Sequence, residues 1–154
     1  MRNLILAVGL IIFATTGWGQ VGARVGVFDE RSLVVAYYRS SAGKDLVKAK
    51  MEELKVAKAA GDSAKVAALE KWGTEQQELA HRQLAGQAPI TNILEYLKQF
   101  LPDVAQAAGV DVIPGSTLYL GTRVEKVDIT DLLVARFNLD AGTREMIEKM
   151  RRKP

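Results

Sequence analysis

Cysteine is absent from this 154-residue chain. Disulfides, thiol chemistry and cysteine-ligated metals are therefore excluded. Lipid attachment to an N-terminal cysteine is excluded with them. Histidine occurs once, as His81, in a stretch that reads as a solvated helix. A catalytic histidine needs a nucleophile or carboxylate partner, and none is legible beside it. Glycine loops that cradle phosphate are also missing: neither GxGxxG nor GxxxxGKS/T occurs. Charge of one sign is scarce, since 21 Lys and Arg face 18 Asp and Glu. A net charge of +3 leaves no clustered basic footprint of the kind nucleic acid needs. No heptad seam is long enough for a free-standing coiled-coil rod. Glu52-Glu53 and Asp128/Asp131 are carboxylate pairs, but a helix surface and a helix cap account for them better than a cleft does. Catalytic, cofactor-binding and metal-binding residues are accordingly not assigned, and the chain is read as a non-enzyme with no cofactor.

What is present begins with an address. Arg2 is followed by an apolar run from Leu4 to Ala14. That run fits a secretory signal peptide and is too short to span a bilayer comfortably. Gly17 and Gly19 suit the positions before a cleavage site, placing the cut near Gly19/Gln20. An uncleaved N-terminal anchor is the alternative. Residues 1–19 are thus expected to be a leader, and 20–154 a single domain in the periplasm.

The middle of the chain reads as two helices folded back on each other, with arms over about 43–88. The first arm, GKDLVKAKMEELKVAKAAG, is built of strong helix formers, with Leu46, Met51, Leu54 and Val47/Ala57 near three-and-four spacing. Gly61 supplies a stop, and Asp62 or Ser63 a cap for the next helix. In the second arm Val66, Leu69 and Trp72 form a stripe. Lys and Arg nearly balance Asp and Glu along both arms. Such thin stripes predict a slender antiparallel hairpin rather than a thick bundle.

The flanks predict a small body. Strands are expected over about 24–28, 110–113, 117–120 and 127–129. Asp29 caps a helix in which Leu33, Val34, Tyr37 and Tyr38 line a buried face. Tyr37-Tyr38 reads as packing rather than as a stacking platform for bases. Residues 40–43 break the chain before the first arm. ITNILEYLKQFL carries the cleanest amphipathic pattern, and Pro102 must kink or restart its helix. Thr130 or Asp128 caps DLLVARF. The tail adds one more helix, whose Arg151-Arg152-Lys153 end is read as solvated, with contact to an anionic membrane surface possible but not required. The fold class expected is α+β and mostly helical, with a small sheet body, a projecting hairpin and oligomerisation through the sheet. So small a sheet leaves open edges that copies of the chain would cover.

Three stretches, VGVFDERSL, SSAGKDLVKAKMEEL, and VAQAAGVDVI followed by TLYLG and VEKVDITDLLVARF, together resemble the Skp/OmpH-type periplasmic chaperones. The likeness covers most of residues 24–137. The resemblance implies a trimer with a central β-body, helical tentacles around a cavity, and ATP-independent holding of unfolded outer-membrane proteins. The arms here are shorter and less basic than the longest arms of that family. APITNILEYLKQFLP replaces continuing arm, and the tail after Phe137 has no clear counterpart. On physical grounds the client-binding candidates are Leu46, Met51, Leu54, Val66, Leu69 and Trp72; mutual packing within the hairpin is their alternative role. Val25, Val27, Leu118, Leu120 and Ile129 are the candidates for the oligomer body. A cell-envelope scaffold with one folded partner is the alternative to a holdase.

Overall fold

The computed structural model describes residues 22–115, 120–121 and 123–152. The expected leader lies outside them, as do Leu118 and most of the strand expected over 117–120. The chain is mostly helical, with a small parallel sheet of two strands. Strand β1 (Arg24–Val27) leads into helix α1 (Glu30–Arg39). Asp29 caps α1 by accepting from the backbone N–H of Ser32 at 3.0 Å.

Helix α1 is the hub. It packs against α2 (Ser41–Ala59), α3 (Ser63–Leu84), α4 (Thr91–Leu97), α6 (Thr130–Val134) and α7 (Ala141–Arg151). Its VVA sequence allows this, because Leu33, Val34 and Ala36 all fall on sides met by neighbours and are buried. Ile93 and Leu97 of α4, Val104 of α5 (Leu101–Ala108), and Leu133, Phe137 and Ile147 complete one core. Burying one Leu of this kind stabilises by about 1.5–3 kcal/mol.

The break between α1 and α2 is narrower than residues 40–43. Ser40 alone leaves the helical conformation, at ψ 171°, and Ser41 already opens α2. Ser40 is buried and its hydroxyl donates to the Tyr37 carbonyl at 2.6 Å. The bend brings Gly43 so close to α1 that a Cβ there would sit 2.6 Å from the Tyr37 carbonyl oxygen. Only glycine fits that crossing.

Helices α2 and α3 pack on one another across a turn at 60–62. Gly61, at φ 68°, takes the left-handed conformation that closes α2. Its N–H donates to the Lys58 carbonyl, while that of Asp62 reaches back to Ala57. Asp62 then caps α3 through the N–H of Lys65. Lys58 and Glu70 bridge the two helices at 2.9 Å. The observed helices run over 41–59 and 63–84, so the second ends earlier than the sequence implies.

Pro102 restarts the amphipathic segment. Helix α4 gives way to a 3₁₀ turn (Lys98–Phe100), and α5 begins with the proline in its first turn, where a missing N–H costs nothing.

The sheet departs most from expectation. Strand β2 is Glu125–Asp128, so pairing begins two residues before the stretch read as extended, and Ile129 follows the strand rather than ending it. It runs parallel to β1, with Arg24 opposite Glu125 and Val27 opposite Asp128. Residues 110–113 supply one bridge, Val112 to Val25, on the other side of β1. Leu120 is half-buried and in no strand. Polar Glu125 and Lys126 hid the start of β2 from a reading based on apolar alternation.

Arg24 ties these parts together. Its guanidinium forks onto both carboxylate oxygens of Glu125 at 3.0 Å. The remaining nitrogen donates to the Gly109 carbonyl at 2.6 Å, at the end of α5. Arg151 does similar work for α7, donating to Asp128 at 2.7 Å and to Asp131 at 2.5 Å.

Candidate binding surface on the arm helices

The six candidate client residues divide by exposure. Leu46 and Met51 stand 45% and 56% exposed, whereas Leu54, Val66, Leu69 and Trp72 are half-buried. Helical spacing explains the division. Leu54 and Ala57 lie three apart on α2, and Ala57 is buried; Val66, Leu69 and Trp72 repeat at three on α3. Two further residues of α2, which are not among the six candidates, are exposed as well, and they stand nine positions apart on opposite flanks of the helix. Val47 is 42% exposed, and Val56, at 65%, is the most exposed large apolar side chain described.

At the base of α2 the flank that carries Val47 and Met51 deepens into a groove of about 460 Å³. Val47, Met51 and the Tyr38 ring line it, with Lys44, Lys48 and Lys55 around them. Its one acid, Glu52, is engaged with Lys55 at 2.7 Å. The result is an apolar strip in a basic frame.

A buried polar cluster holds the base of this surface. Gln83, near the end of α3, is 2% exposed. Its amide donates to the Pro89 carbonyl at 2.8 Å and to Asn92 Oδ1 at 2.7 Å. Its own carbonyl accepts from the Tyr38 hydroxyl at 3.0 Å. Such a fully satisfied amide fixes α3 against α1 and the start of α4. Burial pushes the Tyr38 and Tyr37 hydroxyls above their ordinary range. Tyr37 packs edge-on to Tyr38, Tyr96 and Phe137, so the tyrosine pair belongs to the aromatic part of the body.

The carboxylate pairs are taken up by cations. Glu52 faces Lys55, and Glu53 faces Lys50, whose hydrogen bond holds the Glu53 carboxyl below its usual range. Asp128 and Asp131 share Arg151. Burial works to raise the Asp128 carboxyl, but hydrogen bonds from Thr130 and the charge of Arg151 outweigh it and hold it low. Among the described residues no cluster of three His, Asp or Glu side chains could hold a metal ion. No described helix is long and apolar enough to cross a membrane.

None of the described residues assigned to an oligomer body is fully exposed. Val25 and Ile129 are 5% and 0% exposed within the single chain. Val27 and Leu120 are half-buried, and Leu118 lies outside the described residues. In the basic tail, Arg152 reaches Glu148 at 3.3 Å, Arg151 is engaged as above, and Lys153 lies outside the described residues.

Comparison with protein-family models, with curated proteins and with solved structures finds no match for this chain.

Proposed function

We propose that the protein is an ATP-independent holdase of the periplasm that binds unfolded outer-membrane or secreted proteins. The α2–α3 pair serves as an antiparallel arm based on α1, and copies associate, as a trimer, through their sheets. One observation carries this reading. Leu46, Val47, Met51 and Val56 remain exposed along a helix whose own contribution to the buried interior is only Gly43 and Ala57. A helix that spent its apolar residues on folding would hide them. This one presents them, spaced by lysines that keep the surface soluble.

Many weak contacts of this kind hold a non-native chain without selecting its sequence. They also release it to a better partner with no energy source. The leader pattern at residues 1–19 supports the periplasmic address, and the small size of the described sheet supports association.

The test is aggregation of an unfolded β-barrel protein, followed by light scattering without nucleotide. Stoichiometric protein slows it, and Met51→Glu with Val56→Glu abolishes the slowing while leaving the helical spectrum unchanged. No slowing at several-fold excess sinks the proposal. In-cell cross-linking to one defined folded protein, rather than to a spread of precursors, would replace it with an envelope scaffold of the same fold. Solution mass decides the trimer.

A further inference from the structure

A second apolar groove, of about 340 Å³, lies on the body between α1, the end of α3 and α7. Val35, Leu84, Met146 and Met150 form its floor. Leu84 and Met146 are 37% and 41% exposed although both sit where three helices meet. Its charged lining is of one sign. Arg31 and Arg39 of α1 border it, and among the described residues no carboxylate does. Neither guanidinium has a carboxylate within 4.0 Å among the described residues. Asp29 and Asp128, which line an adjoining pocket with Arg31, are engaged already, the first as the cap of α1 and the second with Arg151.

We infer that this groove docks a polypeptide segment in which two carboxylates bracket a pair of large apolar side chains. Charge complementarity requires an anionic occupant, and the spacing of the cations selects a peptide. Arg31 and Arg39 are eight positions apart on one helix, about 12 Å along its axis at ~1.5 Å per residue. A fatty acid carries one charge at one end and satisfies only one of them. An extended peptide with acids about four residues apart reaches both, at ~3.3 Å per residue. Two methionines in the floor add a surface that adapts to different apolar side chains. The site lies on α1, α3 and α7 and shares only Tyr38 with the groove on α2.

The test uses the full chain and a fluorescein-labelled peptide carrying Asp-Leu-Gly-Phe-Asp, whose aspartates are four positions apart and whose Leu and Phe share one face when extended, read by anisotropy. Saturable binding is expected. Arg31→Gln and Arg39→Gln each weaken it about threefold, and together about tenfold, as exposed charge pairs do. Replacing both aspartates of the peptide by asparagine weakens it to the same extent, and added salt lowers the affinity. Met146→Glu, which places a charge in the floor, abolishes binding. Met51→Glu on α2 leaves it unchanged, so the groove and the holdase reading fail separately. The proposal is overturned by absence of binding, by equal binding of the asparagine peptide, or by full affinity in the double arginine variant. Displacement of the peptide by anionic lipid vesicles overturns it too, and assigns the groove to a membrane surface.

Discussion

The hydroxyl of Tyr38 donates to the side-chain carbonyl of Gln83 across 45 positions of sequence, at 3.0 Å. This bond locks α1 to the end of α3 by joining the buried Gln83 amide to a half-buried tyrosine. Tyr38→Phe removes one donor and should cost about 1 kcal/mol. Gln83→Leu strands the Tyr38 hydroxyl, the Asn92 side chain and the Pro89 carbonyl together, and should cost about 2–4 kcal/mol. Urea unfolding of both variants checks the order. Equal losses would show that the amide's other two bonds contribute nothing.

Gly43→Ala is expected to destabilise, although alanine is the better helix former. Its Cβ would meet the Tyr37 carbonyl oxygen at 2.6 Å and the Tyr38 Cα at 2.9 Å, both backbone atoms that yield only if the helices separate. A loss of about 1–3 kcal/mol follows from overpacking. Thermal melts read it directly. A stabilised Gly43→Ala variant would mean that the α1–α2 crossing is looser than described.

Core and arm should respond in opposite ways to truncation. Phe137 is 1% exposed and packs on Tyr37 and Tyr96, so Phe137→Ala should cost about 3–5 kcal/mol. Val56→Ala, at an exposed site, should change stability by less than about 0.5 kcal/mol. Val56→Ala should nevertheless weaken holding of an unfolded client. Large destabilisation by Val56→Ala would place that side chain in the fold rather than on a working surface.

Acid should loosen α7. The backbone N–H and hydroxyl of Thr143 hold the Asp140 carboxyl below its ordinary range, and Asp128 is held low as well. Both groups ionise at lower pH folded than unfolded, so on acidification the unfolded chain takes up protons first. Their stabilisation is complete above about pH 4, the unfolded carboxylate value, and is lost as pH falls through the lowered values. Asp140→Asn keeps a competent cap but removes that titration, and should make the acid transition shallower. Circular dichroism against pH measures both. An unchanged transition in Asp140→Asn would show that the cap carries no pH dependence.

Local signals in the sequence were the reliable ones. Asp29 and Asp62 cap where a short acceptor precedes a helical run, and Gly61, Gly86 and Gly109 all sit at positive φ just past a helix end. Pro102 restarts its helix because its chemistry permits little else. What escaped depends on residues far apart. Glu125 and Lys126 look like surface loop until Arg24 and Val25 lie beside them in register. Gln83 sits in a polar stretch that reads as solvent-facing, and only the arrival of Tyr38, Pro89 and Asn92 makes it a core residue. The candidate surface was half legible. Leu46 and Met51 carried it, but burial of the other four and exposure of Val47 and Val56 follow from which side α3 covers.

Strand β1 has consequences for the order in which the molecule can assemble. One of its neighbours bonds to it from 87 positions away and the other from 101. Strand β1 therefore stays unpaired during synthesis until most of the chain after it has followed. Helices α2 and α3 face no such delay, since their contacts close over a short loop. Any fragment released early would carry finished arms on an unfinished base, and completion of the body waits on the last third of the chain.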